Sequence, residues 1–117
     1  MALRRLSLAF VVIVLPAQLL QAQLRRAASD AEELARNTYV NLLRGISLHP
    51  AQADSARSIL VRASKAMLAF QGARATTASA RQMDSIYVSR NLEVRRLLSN
   101  DADRVRFDVN VDALSWR

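Results

Sequence analysis

Chemistry in a protein starts from side chains that can ligate, transfer protons or attack, and this 117-residue chain has few of them. It holds one histidine, His49, and no cysteine. One imidazole with scattered carboxylates makes no recognisable ligand set for a transition metal, which takes three or four His, Cys or acidic groups at short spacings. Met67 and Met83 offer thioethers, but both fall on apolar helical stripes, where methionine serves as core filler. A Ser–His–acid set needs a histidine poised beside a nucleophile. His49 stands instead where a helix should begin, and no motif marks a nucleophile. Gly45 and Gly72 are isolated, so no glycine-rich loop is available to cradle a phosphate. The sequence therefore predicts no enzyme, no metal ligands and no cofactor, and directs attention to binding surfaces.

Two sets of residues could form such a surface. Ile59, Leu60, Met67, Phe70, Val109 and Trp116 are apolar groups that a thin helical core can leave exposed, although the core itself or a dimer interface competes for them. Arg62, Lys65, Arg95 and Arg96 could supply a basic rim, against the plainer reading of a solvated helix face.

The elements that must position these residues are helices. Two glycines and two prolines in the whole chain leave room for few turns. Ser29 and Glu32 in SDAE read as a capping box that opens a helix over about 30–44, closed by Gly45. A second helix, about 50–71, begins in SLHPAQADSARSIL. His49 is the N-cap, Pro50 occupies the first turn where its missing N–H costs nothing, and Gln52 can fold back on the His49 backbone. Its apolar stripe runs Ala56, Ile59, Leu60, Ala63, Met67, Phe70, and the small Ala53, Ala56 and Ala63 invite close approach by another helix. The expected stop is near Gly72. Residues 73–79, ARATTAS, read as a loop. A third helix over about 79–98 carries Met83, Ile86, Tyr87, Val94, Leu97 and Leu98, its stripe broken by Arg90 and Asn91.

The last segment is contested. RVRFDVNVDA alternates apolar and polar residues with the period of a half-buried strand. Against that, Ser99 or Asn100 followed by Asp101 and Asp103 reads as a helix start, and no second strand exists to pair with it. A helix over about 100–115 is preferred. It would be apolar on two sides, Val105, Val109, Ala113 and Trp116 on one and Phe107, Val111 and Leu114 on the other. Such a helix touches two things: its own domain and a second subunit. The fold class expected is all-α, with four helices in an elongated, hairpin-like and dimeric arrangement.

The N-terminus reads as a secretory signal over residues 1–22. Arg4 and Arg5 precede the apolar run LSLAFVVIVL, and LQA ends on Ala22 as the small residue before a cut. An uncleaved anchor from Leu6 to Leu20, giving membrane association, is the alternative, disfavoured by Pro16, Gln18 and Gln21. Cleavage leaves residues 23–117 as one small domain whose core is thin enough to favour oligomerisation. With Arg4 and Arg5 gone, the net charge of +7 falls to +5, and Lys65 is the lone lysine among arginines. Nucleic acid is not the expected partner. Export removes the chain from it, and the arginines are interleaved with acids at helical spacing, as in Glu32–Arg36 and Arg104–Asp108.

Leu48-His49-Pro50-Ala51-Gln52 resembles the L-T-x-x-Q motif of small periplasmic helical proteins, the Spy/CpxP-like family, with His49 in the threonine's place. The family carries a second copy of the form L-L-T-P-E-Q, followed by a basic stretch and Phe-Asp. This chain has LLSNDADRVRFD, in which Leu98 and Ser99 match the motif start and Phe107 and Asp108 match the aromatic–acid pair. The spacing is one residue longer, and Ala102 stands where the glutamine should. The resemblance implies a four-helix fold that dimerises into a cradle, apolar and basic, in the periplasm. It further implies an ATP-independent chaperone or stress adaptor whose partner is an unfolded client or an envelope sensor. A subunit docked on a membrane complex or sensor kinase and a metal-resistance protein are the alternatives.

Overall fold

The computed structural model describes the backbone of residues 2–70 and 76–115 and the side chains of residues 17–70 and 76–114. Every regular element among them is an α-helix: α1 Ala2–Leu42, α2 Pro50–Ala69, α3 Thr77–Arg95 and α4 Asp101–Ser115. The chain divides into two compact units, Met1–Asp30 and Ala31–Arg117. The first unit lies on α1 and exposes Leu19, Leu20 and Leu24. The second contains the end of α1 and the other three helices.

The expected start of a helix at Ser29 is not observed, because Ser29 and Glu32 lie inside α1. Residues 17–28 contain only Ala, Gln, Leu and Arg, all strong helix formers, so nothing there interrupts the backbone ladder. The C-terminal end is as expected. Gly45 has φ +77°, the left-handed conformation that a Cβ penalises, and the Ile46 N–H donates to the Leu43 carbonyl at 3.0 Å. Arg106 lies across this glycine, and a Cβ built there would meet Arg106 Nη1 at 2.9 Å.

Helix α2 begins with Pro50 in its first turn and His49 as N-cap in extended conformation. The His49 side chain sits at capping-box position but makes no side-chain cap hydrogen bond, whereas Gln52 Oε1 accepts from the His49 backbone N–H at 3.2 Å. Ala56, Leu60, Ala63 and Met67 form its buried stripe. The expected stop at Gly72 lies outside the described residues.

Helix α3 starts two residues earlier than expected. Thr76 is its N-cap: Ser79 N–H donates to Thr76 Oγ1 at 3.0 Å, and Thr76 N–H donates to Ser79 Oγ at 2.8 Å. Residues 77–79, expected as loop, are therefore helical. At the other end the α-helix stops at Arg95, short of the expected 98, and the chain tightens into i→i+3 bonds, Leu97 N–H to Val94 O and Leu98 N–H to Arg95 O.

The contested segment is helix. Asn100 caps it, Asp103 N–H donating to Asn100 Oδ1 at 2.8 Å, and Asp101 and Asp103 lie in its first turn, where the helix dipole favours negative charge. Helical spacing places Phe107 wholly in the core, with Val111 and Leu114 partly buried beside it.

Within Ala31–Arg117 the contacts run antiparallel around the cycle of four helices. Tyr39 of α1 meets Arg57 of α2, and Gln52 and Arg62 of α2 meet Leu97 and Glu93 of α3. Arg95 of α3 meets Asp108 of α4, and Asn110 of α4 returns to Leu42 of α1. The core between them is Ala35, Leu42, Leu43, Ala56, Leu60, Val94, Leu98 and Phe107. Its largest members, Leu42, Leu60, Val94 and Phe107, each stabilise the fold by about 1.5–3 kcal/mol through burial.

Candidate functional site

The two motif stretches meet in space. Gln52 Nε2 donates to the Leu97 carbonyl at 2.8 Å and approaches Ser99 Oγ at 3.2 Å, while its Oε1 serves the His49 backbone. The glutamine thus caps the start of α2 and the end of α3 at once. Arg104 completes the knot from α4, donating to the Leu98 carbonyl at 2.9 Å and pairing with Asp101 at 2.7 Å. Leu48 packs partly buried against the core, Leu98 is buried within it, and Phe107 seals it from α4. Asn110 does the same service at the opposite corner, donating to the carbonyls of Leu42 and Arg44 where α1 ends. These residues position the helices and offer no open chemistry.

The proposed basic rim is divided. Arg95 holds Asp108 through two parallel bonds, Nε to Oδ1 at 3.0 Å and Nη2 to Oδ2 at 3.2 Å. The hydrogen bonding and then the charge of Asp108 hold the Arg95 pKa above the ordinary arginine value. Arg62 is paired with Glu93. Lys65 and Arg96 are exposed and make no ion pair among the described residues.

The apolar set is divided as well. Leu60 and Met67 are buried and cannot form a surface, because the stripe that carries them faces α1 and α3. Ile59 and Phe70 are half-buried, Ile59 packing against the core. Val109 is 61% exposed and shares its face with Val105, 63% exposed, and with exposed Ala113. Trp116 lies outside the described residues.

A groove that sequence reasoning did not name lies between α1 and α2. Ala35, Tyr39, Val40 and Val61 line it, with Glu32, Arg36 and Arg57 at its sides, around about 580 Å³. Arg57 stacks over the Tyr39 ring at 5.6 Å and pairs with Asp54 at 3.3 Å. The available signal was Val40 and Val61, two β-branched residues off the buried stripes. Val40 is 61% exposed, whereas Val61 packs partly buried against the core.

Arg90, which the sequence showed only as a break in a stripe, is 8% exposed. Its Nε donates to Asn91 Oδ1 at 3.0 Å, and its guanidinium stands 5.0 Å from the centre of the Tyr87 ring. Desolvation pushes its pKa below the ordinary arginine value, with Tyr87 acting in the opposite sense.

Among the described residues no three His, Cys, Asp or Glu side chains converge on a point, and no helix is long and apolar enough to cross a membrane. Comparison with protein-family models, with curated proteins and with solved structures found no match.

Proposed function

We propose that this chain is an exported, nucleotide-independent binder of unfolded or partner protein, a periplasmic chaperone or envelope-stress adaptor of Spy/CpxP-like kind. The observation that carries the reading is the α1–α2 groove: an apolar floor of Ala35, Tyr39, Val40 and Val61 bordered by Arg36, Arg57 and Glu32, with Arg57 paired to Asp54. A non-polar strip beside guanidinium groups suits extended chain segments that mix aliphatic and acidic residues. The L-H-P-A-Q stretch and its partner LLSNDADRVRFD support the family reading, and their meeting through Gln52 gives both stretches one structural task. The exposed Val105–Val109–Ala113 face of α4 supports self-association, or in a second reading docking on a membrane-bound complex or sensor.

The test is suppression of aggregation. The purified chain, added near-stoichiometrically to chemically unfolded clients without nucleotide, is expected to lower light scattering. No effect on any of several unrelated clients sinks the chaperone reading.

A further inference from the structure

The second candidate site is built around Arg90 and shares no residue with the α1–α2 groove. A cavity of about 390 Å³ is lined by Leu42 from α1, Asp84, Tyr87, Arg90 and Asn91 from α3, and Val111 and Leu114 from α4. A neighbouring space of about 340 Å³ shares Tyr87, Arg90 and Leu114. Asn91 occupies Arg90 Nε, and Tyr87 stands against the guanidinium. No carboxylate forms an ion pair with Arg90 among the described residues. No sealed side-chain nitrogen is left without a hydrogen-bond partner there, so the Nη groups are accessible; Arg90 borders this cavity and also a space of about 360 Å³ that Arg62 and Glu93 line.

A guanidinium this deeply placed is costly to the fold unless an anion or solvent satisfies it. Its free edge presents parallel N–H donors, the fork that matches a carboxylate in bidentate fashion. Beyond that edge the lining is Leu42, Val111 and Leu114, which offers aliphatic contact and no further cation. Asp84 is exposed and borders the opening. Its negative charge offsets Arg90 locally, so a singly charged ion is tolerated there while a multiply charged one such as phosphate is repelled. The volume lies within the roughly 300–1,000 Å³ of small-molecule pockets.

We propose that the Arg90 cavity binds an aliphatic monocarboxylate, its carboxylate on the Arg90 Nη edge and its tail along Leu42, Val111 and Leu114. This inference does not depend on the chaperone reading.

Titration calorimetry of the full chain tests it, with octanoate, 1-octanol, acetate and inorganic phosphate as probes. Octanoate is expected to bind saturably and tighter than the other three. Arg90→Met removes the fork while keeping an unbranched side chain, and is expected to weaken octanoate at least about tenfold. Asp84→Asn, at an exposed position that leaves packing intact, is expected to tighten octanoate about two- to fivefold. The proposal is overturned by octanol binding as well as octanoate, by acetate or phosphate matching it, or by no octanoate binding. It is equally overturned by affinity indifferent to either substitution, or by an apolar peptide with a free C-terminus competing more strongly than octanoate.

Discussion

Gln52 Nε2 donates to the Leu97 carbonyl at 2.8 Å, joining the first turn of α2 to the chain just past α3 across 45 residues of sequence. The same side chain accepts from the His49 backbone N–H, so one amide satisfies groups at two helix ends that would otherwise face solvent alone. Gln52→Ala should therefore cost more than a single cap, about 1–2 kcal/mol. Gln52→Glu keeps the acceptor for His49 but has no donor for Leu97, and should recover little of that loss. Urea unfolding followed by circular dichroism reads both.

Gly45 holds a left-handed backbone with Arg106 lying over it. Gly45→Ala is expected to destabilise by about 1–2 kcal/mol, chiefly through the backbone, since the Arg106 side chain can yield. A lowered melting temperature that Arg106→Ala does not restore identifies the backbone as the cause.

Arg90 should add little net stability, since the cost of its desolvation offsets what its contacts with Asn91 and Tyr87 supply. Because burial lowers its folded pKa, its cost is present throughout the pH range below that value and is relieved only as pH rises through it. Arg90→Met is expected to be close to neutral in the absence of added carboxylate, within about 1 kcal/mol, because the relieved desolvation is offset by loss of the Asn91 bond and the Tyr87 stack. Arg95 has the opposite sign. Its folded pKa is raised by Asp108, so its contribution is fully present below the ordinary arginine value and lost only as pH climbs through the raised one. Melting curves near neutral and moderately alkaline pH should not reveal Arg95.

Val40→Asp places a charge on the groove floor at a position where stability is little affected, within about 0.5 kcal/mol. It should reduce aggregation suppression while the melting temperature stays put. Equal suppression by the variant and the parent chain removes the groove from the client-binding surface.

Val105→Lys with Val109→Lys charges the exposed face of α4. Sedimentation equilibrium should show a parent dimer dissociating in the double variant without loss of helix. A parent chain that is monomeric at high concentration ends the self-association reading.

Local chemistry made much of this fold legible. Pro50, His49 and Gln52 announce α2 because first-turn geometry depends on neighbours within a few residues, and Gly45 ends α1 for the same reason. The strand-like alternation of 104–113 competes with a helix-start signal, and the helix preferred on that signal is the one observed. Asn100, Asp101 and Asp103 carried the decisive local signal, and a strand had nothing to pair with. Thr76–Ser79 is an equally local signal, but with serine as its second member it lacks the acid or amide that marks a capping box in a sequence.

By itself the sequence determined that the chain is helical, where most helices turn, and that no ligand cluster or nucleophile is spelled out in it. Only the tertiary structure decided which apolar residues are surface. Leu60 and Met67 share a stripe with Ile59, and which side faces neighbours depends on helices far away in sequence. It also decided that Gln52 reaches Leu97, that Arg95 is taken by Asp108, and that Arg90 is enclosed beside Tyr87. Caps are set by bonds spanning a few residues, whereas burial and long-range pairing are set by packing, which no short stretch of chain contains.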